Sequence, residues 1–510
     1  IAIIILYFVI CIAIGLYKAK SIKTLKEYTL GGRNFSNLVV ITTLLATDIG
    51  AGSTVGIVEA IYTFGMFFAI TQLFVPCFWL MMAKVYGKNI DQFLRCISVS
   101  DIMANLYGQA GRWITNVAAI FASIGVITFQ ATALGYVMNY ILQIQVVYST
   151  IIAILVLAFY SAFGGIRAVA YTDVFQFIIL MLAIPAACFI VYGTESGGGI
   201  MHWHRVFDQL PKEVLTIDLN KSNIWLFFSF ILYNFLPETG GTYVQRFLLS
   251  RNSKQLVSCI YTAAFLSIFF VITICLVGFF IRAKAPNIDP NAAFIYFIAN
   301  HLCIGIKGLV IIGLLAVIMS TADSWLNTTS VLITHDIISK FIDLHERQSL
   351  IVARCSTFII AILAILLSLS GKGVIELEWL GGNFWGPIII IPLSAGFLRF
   401  RTNSKSFMAS VVLAITFTCV SGYIVGDFAT ISLMCGMIGS AIGLFGMHRW
   451  QKGQSIDPAA KHKSWAAIEE KKQAKIGYAN SAEQIEEWYQ KSSDRNQKIE
   501  SLINDLSKGR

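Results

Sequence analysis

Four carboxylates lie inside long apolar stretches of the chain, where an ionisable side chain is costly. They are Asp48, Asp173, Glu238 and Asp323. A charged residue at the centre of a membrane-spanning helix costs roughly 2.5–3.5 kcal/mol on insertion scales, so each carboxylate is expected to have a partner or a function. Carboxylate, hydroxyl and carbonyl oxygens are the ligands that hard cations prefer. The residues therefore predict binding of a cation, or of a cationic solute, inside an apolar environment.

The segment around Asp48 makes a poor continuous helix. Between Leu44 and Gly56 it carries three glycines and four polar side chains in the middle of an apolar stretch. Unwinding there would free backbone carbonyls, which suit a hard cation such as Na⁺. The alternative is close packing between helices, which Gly50 and Gly56 alone would satisfy. Asp48 and the neighbouring hydroxyls favour a binding site.

A second interruption falls in the seventh apolar stretch, where residues 237–242 read Pro-Glu-Thr-Gly-Gly-Thr. Proline removes a helix hydrogen bond, and the glycine pair weakens the following turn. A proline-kinked packing helix is the alternative to a broken one. From the two interruptions together we predict the substrate-facing positions Asp48, Gly50, Ser53, Glu238, Thr239 and Gly240.

Hydroxyls and a carboxylate also cluster in the ninth apolar stretch. Ser320 and Ser324 lie four residues apart on one helical face, and Thr321 and Asp323 flank that face. Such a set suits cation coordination. The alternative is that the hydroxyls only bond to the backbone of their own helix, as they often do in apolar helices.

The elements that position these residues must be membrane-spanning helices. Of the 510 residues, 56% are hydrophobic and 13% are charged, and the mean hydropathy is +0.71. A soluble domain has about 25% charged and 45–50% apolar residues, so this chain has too little polar surface to cover itself in water. The apolar blocks approach the roughly 20 residues that a spanning helix needs and lack the alternation of barrel strands. The composition predicts an all-α polytopic membrane protein.

Thirteen apolar blocks are predicted as spans. They are Ile1–Leu16, Leu38–Ile57, Ile61–Met82, Trp113–Leu142, Val146–Phe163, Val174–Tyr192, Ile224–Leu249, Leu256–Ile281, Leu309–Leu332, Ile351–Leu369, Phe384–Leu398, Phe407–Val425 and Ile431–Gly446. The interrupted second and seventh spans are five spans apart. Transporters built from five-helix inverted repeats place their broken helices at such corresponding positions, with the substrate between them. The core repeats would cover about residues 38–192 and 224–398.

Basic residues predict the orientation of the spans. With the N-terminus outside, the cytoplasmic connections carry 19 Lys and Arg and the external ones carry seven. This asymmetry follows the positive-inside rule and places the C-terminus in the cytoplasm. We expect a multi-pass protein of a plasma membrane, the inner membrane of a bacterium. The chain begins at Ile1 within an apolar run, so we interpret it as a fragment or a trimmed start.

The remaining features narrow the class further. The transmembrane domain would end near residue 450, and residues 451–510 form a charged tail that we expect to be a solvated cytoplasmic extension. Twelve of the 38 Lys and Arg lie after the last apolar block, so the net charge of +10 is a topology signal and predicts no nucleic-acid partner. The ten cysteines form no CxxC pair, and no metal other than Na⁺ and no cofactor is expected. The oligomeric state is left open.

Several motifs resemble the signatures of the sodium:solute symporter family. They are Ala46-Thr47-Asp48-Ile49, residues 164–176 (GGIRAVAYTDVFQ), Met319-Ser320-Thr321-Ala322-Asp323-Ser324 and Gln245-Arg246. The resemblance covers about residues 26–446. It implies a leucine-transporter-like core in spans two to eleven and sodium-coupled alternating access.

The resemblance also implies ligand sets. The main sodium site would use the backbone carbonyls of Ala46, Ile49 and Val317 and the hydroxyls of Ser320 and Thr321. A second sodium or coupling site would involve Asp48, Asp173, Ser320, Asp323 and Ser324. This chain has Asp323 where members with a second sodium carry a hydroxyl. Sugar-transporting members have Asn and Gln in place of Asp48 and Ser53, so the chain is more similar to the proline-transporting branch.

These observations predict sodium-coupled uptake of a small organic solute, with proline as the expected example. Sodium would neutralise Asp48 and leave Glu238 to meet a substrate ammonium. The alternative is that Glu238 only caps the broken helix. A proton-coupled carrier of a small carboxylate or amine is one alternative, with Asp48 or Glu238 titrating. A transporter-like sensor is another, although the short tail offers no output domain. The chain has no nucleotide-binding GxxxxGK[ST], and no HExxH or GxSxG, so neither a pump nor an enzyme is predicted.

Overall fold

The computed structural model describes residues 2–20, 22–195, 204–217, six positions between 224 and 234, 240–369, 385–425 and 430–452. Within these ranges the regular structure is helical throughout. The helices of the first half are α1 Ala2–Ala19, α2 Leu25–Leu30, α3 Asn37–Asp48, α4 Ile57–Phe64, α5 Met66–Gln72, α6 Val75–Val85, α7 Val99–Leu142, α8 Val146–Glu195, α9 His204–Asp208 and α10 Lys212–Leu215.

The second half has a similar order of long and short helices. They are α11 Gly241–Leu248, α12 Ser253–Lys284, α13 Ala293–His301, α14 Ile304–Val331, α15 Ser339–Phe341, α16 Glu346–Ser368, α17 Ile391–Phe397, α18 Ser404–Val425 and α19 Thr430–Lys452. Short π-helical segments precede α4 (Gly52–Gly56), follow α14 (Leu332–Ile338) and precede α17 (Gly386–Ile390).

Within the described residues, nine helical segments are long and apolar enough to cross a membrane, and ten if a bent pair counts as one span. The polytopic all-α class is therefore confirmed, whereas the number thirteen stays a prediction. Two predicted spans merge into α8, which runs over 50 residues and is interrupted only at Gly165, with φ 51° and ψ −160°. The segment after this glycine continues as helix, so Asp173 lies inside a helix rather than before one.

The predicted interruption of the second span is present. Residues Asn37–Asp48 and Gly52–Phe64 form a helix pair bent by 65°. Ile49 caps the first half with extended backbone, φ −83° and ψ 104°. The predicted end of this span at Ile57 is too early, because the chain turns only at Gly65, which has φ 57°.

Gly65 also explains why the boundary was misplaced. A Cβ at this position would lie 2.3 Å from Val214 O, so only glycine fits, and this contact is invisible in the local sequence. Glu59 lies within α4.

Helix α14 forms the centre of the bundle. It packs against α7, α8 and α16, and every residue from Val310 to Val331 is buried. Its serines and threonines are therefore enclosed by neighbouring helices, and each must find a partner there or in its own backbone.

The chain divides into two compact units, Ile1–His448 and Arg449–Arg510. The first contains all the helices named above except the last turn of α19. Most of the second, and with it the predicted tail, lies outside the described residues, so its solvated character remains a prediction.

Candidate functional site

Three backbone carbonyls converge on the hydroxyl of Thr321. Its Oγ1 is 3.1 Å from Ile49 O, 3.2 Å from Ala46 O and 3.3 Å from Val317 O. Ser320 Oγ lies 3.1 Å from the same Ala46 O. A hydroxyl donates only one proton, so this pocket holds more acceptor oxygens than its protons can serve. It is an electronegative, oxygen-only environment of the kind that suits Na⁺.

The local sequence explains why these carbonyls are available. The last helical bond of α3 runs from Ile49 N to Leu45 O at 2.8 Å, after which Ile49 is extended. In a continuous helix Ala46 O and Ile49 O would accept from amides four residues on. Here they face the side chains of α14 instead. The structure thus brings together the five residues predicted for the main sodium site.

Gly50 allows the close approach of the two segments. A Cβ on Gly50 would lie 2.8 Å from Gln130 Nε2 and 2.9 Å from Thr321 Oγ1. Gln130, from α7, accepts a hydrogen bond from Ala51 N at 3.2 Å. Gly50 is buried between these groups, so it acts through packing and does not present an open substrate surface. Sequence reasoning missed Gln130, since a lone amide in an apolar helix carries no local signal.

Asp173 adjoins this pocket from α8. Ser320 Oγ donates to Asp173 Oδ1 at 2.6 Å, and Thr43 donates to Asp173 Oδ2. The carboxylate is fully buried, and its two hydroxyl partners come from α3 and α14. Asp173 therefore ties the first half of the broken span to the central helix.

Arg246 supplies a buried positive charge to the same region. Its Nη2 donates to Ser324 Oγ at 2.5 Å and its Nε to Thr47 Oγ1 at 3.3 Å. The side chain has no exposed surface, and its charge interacts with those of Asp173 and Asp323. Before the structure, Arg246 stood out only as part of a family motif. The feature that marks it as functional is its burial. All eight residues of α11 are buried, and a buried arginine needs partners that compensate its charge.

The residues predicted for a second sodium are divided between several partners. Tyr160 OH donates to Asp323 Oδ2 at 2.7 Å, whereas Asp323 Oδ1 has no hydrogen-bond partner among the described residues. Ser324 meets Arg246, and Asp173 meets Ser320. The structure brings Asp173 and Ser320 to the main pocket, but turns Asp323 toward α8.

Asp48 lies at the break itself. Tyr243 OH donates to Asp48 Oδ1 at 2.6 Å, and Ser53 Oγ donates to Asp48 O at 3.0 Å. Asp48 is half-buried, unlike Asp173. Tyr243, on α11, is a second residue that the sequence did not single out.

The predicted substrate residues of the seventh span are only partly visible. Glu238 and Thr239 lie outside the described residues. Gly240 caps the N-terminus of α11, and a Cβ there would lie 2.7 Å from the ring of Trp325. The end of this interruption therefore packs directly on α14.

A broken span whose freed carbonyls face hydroxyls of a central helix is the site of an ion-coupled membrane transporter. A sequence profile of the sodium:solute symporter family matches residues 28–380, and the chain belongs to this family. It is similar to the high-affinity choline transporter 1 of Caenorhabditis elegans, with 24% identity over 82% of this chain and 77% of that protein. It is likewise similar to the osmoregulated proline transporter OpuE of Bacillus subtilis strain 168, with 24% identity over 76% and 82%.

Among solved structures, the chain resembles a Na⁺-coupled sialic acid symporter in a substrate-bound outward-open state. The TM-score is 0.75 at 20% identity, over 87% of this chain and 95% of that one. The predicted leucine-transporter-like core is thereby confirmed. The protein is a multi-pass sodium-coupled solute transporter rather than an enzyme, as predicted. Its coupling ion is Na⁺.

Proposed function

We infer that this protein takes up a small organic solute with a cationic nitrogen, proline being the expected example, using sodium bound by the five predicted residues. The observation that carries the inference is the convergence of three carbonyls on Thr321 Oγ1. Two of those carbonyls belong to the interrupted helix and the third to α14. An ion bound among them fixes the position of the break.

The substrate class is inferred from Asp48. Tyr243 occupies Oδ1 of this carboxylate, and we assign Oδ2 to a substrate ammonium. Two relatives are named for transport of proline and of choline, solutes that share a cationic nitrogen but not a carboxylate. The common chemistry therefore points to the acidic side chain at the break.

Asp48 and Glu238 divide the charge between them. Two ionised carboxylates facing one cavity repel, so at least one needs a cation or a proton. In the sequence-based hypothesis sodium neutralises Asp48 and Glu238 meets the substrate. The contact with Tyr243 favours a different assignment, in which Asp48 is positioned to bind the solute. Glu238 remains a second proposed contact.

Coupling follows from the shared backbone. Ala46 and Ile49 supply sodium ligands, and Asp48 lies between them in the chain. Sodium that fixes their carbonyls also orients the Asp48 side chain, so each ligand favours binding of the other. One charge moving through about 100 mV releases about 2.3 kcal/mol to drive uptake, before any concentration term.

Radiolabelled uptake into proteoliposomes tests the proposal. Proline, choline and a panel of amino and carboxylic acids are compared with and without an inward sodium gradient. We expect sodium-dependent accumulation of solutes with a cationic nitrogen. Accumulation driven by a proton gradient without sodium would favour the proton-coupled alternative. Binding of solute without accumulation under either gradient would favour a sensor.

A further inference from the structure

A second polar cluster lies beyond the C-terminal end of α14, about 20 Å along the helix from Thr321 at 1.5 Å per residue. Arg112 Nη1 is 2.9 Å from Asp101 Oδ1 and 2.6 Å from Asp336 Oδ1. His335 Nδ1 lies 3.8 Å from Asp101 Oδ2 and 3.3 Å from Asp336 Oδ1. These four residues are called the end cluster. It joins α7 to the π-helical turn that follows α14.

The charges of the end cluster do not balance while His335 is neutral. Two carboxylates meet one guanidinium, which leaves one negative charge uncompensated. Asp336 is fully buried, and its Oδ2 has no hydrogen-bond partner among the described residues; the same holds for His335 Nδ1. A proton on Nδ1 would face Asp336 Oδ1 and Asp101 Oδ2 and would supply the missing positive charge. Burying an unpaired charge is costly, so proton binding there is favoured.

A proton fits the cluster better than a metal ion does. Asp101, His335 and Asp336 place ligand atoms within 4.8 Å of one another, a spacing that admits a metal. However, Arg112 Nη1 already stands between the two carboxylates, in short contact with both. A divalent cation would have to displace this guanidinium, whereas a proton on the imidazole would not.

The surroundings of His335 contain few other charges. On α15, Lys340 opposes a positive charge on His335. On α16, which also packs against this turn, Glu346 accepts a hydrogen bond from Leu25 N at 2.9 Å, and Arg354 lies over the Phe163 ring. Glu346 and Arg354 are thus engaged elsewhere, and Arg347, the third charged residue of α16, is exposed. The carboxylates of the end cluster are the groups that decide the protonation of His335.

Further contacts join α7 to the segment that follows the C-terminal end of α14. Asn116 Nδ2 donates to Asp336 O at 3.3 Å, and the rings of Trp113 and Phe341 lie 5.5 Å apart beside it. The π-helical turn itself is a widened backbone that is frequent at functional sites. The distribution of basic residues predicts that this end faces the cytoplasm.

We propose that the end cluster is a proton-binding latch, in which protonated His335 holds α7 against the end of α14 and slows opening toward the cytoplasm. An unperturbed imidazole titrates at about pH 6.5, and the carboxylates of the end cluster favour the proton. The latch is therefore strengthened as cytoplasmic pH falls toward and through this region and released as it rises. Transport is fast in an alkaline cytoplasm and slow in an acidic one.

Labelling of Cys96 measures the latch without relying on transport. This buried residue lies beside the cluster, where Arg33 Nη2 donates to its carbonyl at 2.9 Å and Asn105 Nδ2 approaches its sulfur at 3.1 Å. Burial, with Asp101 nearby, raises the pKa of the Cys96 thiol to about 12, so it reacts slowly while enclosed. Its maleimide modification is followed by peptide mass spectrometry in the full-length protein at pH 6 and pH 8.

The variant His335→Gln removes the titrating group and corrects for the intrinsic pH dependence of the reagent. We expect the ratio of wild-type to His335→Gln labelling to be at least threefold lower at pH 6 than at pH 8. The matched control His345→Asn changes an exposed histidine that precedes α16, and it should behave like the wild type. A ratio that does not change with pH overturns the latch, whatever the solute transported.

Proline uptake then tests the direction of the effect, and this arm rests on the proposed function. Lowering the internal pH of proteoliposomes from 8 to 6 should slow wild-type uptake threefold to tenfold. His335→Gln should lose this dependence, and His335→Arg, permanently charged, should stay slow at both values. Dependence on external pH alone, with labelling as predicted, would overturn the cytoplasmic placement.

Discussion

Helix α14 carries two polar networks that differ in the kind of oxygen they use. In its middle, Ser320 and Thr321 face backbone carbonyls of the interrupted helix. Beyond its C-terminal end, Asp336 and His335 face Arg112 and Asp101. Carbonyls and hydroxyls keep the same charge at every physiological pH, whereas the imidazole does not. One helix thus separates the proposed sodium site, whose five ligands do not titrate, from the proposed proton-binding cluster.

The two networks also differ in how their backbone is opened. The middle of α14 remains regular, and its partner helix breaks to expose carbonyls. At the end of α14 the helix itself widens into a π-turn. A broken partner presents backbone oxygens to an ion, while a widened turn re-aims side chains. The following predictions test this division.

Removing the charge of Arg246 should have the largest effect. Arg246→Met removes the buried cation whose charge interacts with those of Asp173 and Asp323, and leaving a buried charge uncompensated costs about 3–5 kcal/mol. We expect uptake to fall more than about 100-fold and the thermal midpoint to drop. Arg251→Met, at an exposed arginine just after α11, is the matched control. Wild-type uptake in Arg246→Met would show that the middle network does not depend on formal charge.

The second largest effect is expected from neutralising Asp48 or Glu238. Asp48→Asn preserves the shape and hydrogen bonding of the side chain but removes the negative charge that we propose meets the substrate ammonium. The apparent affinity for an amine substrate should fall about 10- to 100-fold, equivalent to about 1.4–2.8 kcal/mol, with sodium dependence less affected. Glu238→Gln tests the second proposed contact in the same assay. Unchanged affinity in both variants, or a transported solute without a cationic nitrogen, would contradict the substrate class.

Removing the hydroxyls of the sodium site should raise the sodium concentration for half-maximal uptake. We expect about a tenfold rise for Thr321→Val, because the Thr321 hydroxyl meets three carbonyls. The rise for Ser320→Ala should be smaller, and both variants should insert normally. Thr329→Val is the matched control, since this buried hydroxyl bonds to Trp325 O of its own helix. If neither site variant changes sodium dependence, the ligand set is wrong.

The two glycines of the break should respond differently to alanine. Gly50→Ala puts a methyl group within 3 Å of Gln130 and Thr321, whereas the nearest atom to a Cβ on Gly56 is Ala51 O at 3.9 Å. We expect Gly50→Ala to raise the sodium concentration for half-maximal uptake severalfold and Gly56→Ala to have little effect. Equal sensitivity of the two would indicate that only helix flexibility matters there.

Truncation after Lys452 should have the smallest effect. The tail has the composition of a solvated segment, and the family match ends at residue 380. Uptake per inserted protein should stay within about twofold of the full chain. Normal insertion with lost uptake would make the tail part of the mechanism.

The sequence by itself determined the membrane class and the interruption after Asp48, and its family motifs predicted the five residues of the proposed sodium site. These depend on local features. Apolar length predicts a span, and glycines with polar side chains predict a break. A pair of hydroxyls within an apolar helix, taken together with the family motifs, predicts the sodium ligands that face the broken helix. The family match and the converging distances agree with that interpretation.

Tertiary structure decided which polar groups meet. Gln130 and Tyr243 are 79 and 195 residues away from their hydrogen-bond partners Ala51 and Asp48, and no periodicity connects positions so far apart. Gly65 ends the second span because Val214 packs against it, not because of its neighbours in the chain. Likewise, His335 gains its contact with Asp101, and Asp336 its contact with Arg112, only when α7 folds against the end of α14. A residue's type is local, but its electrostatic environment is set by the helices that pack around it.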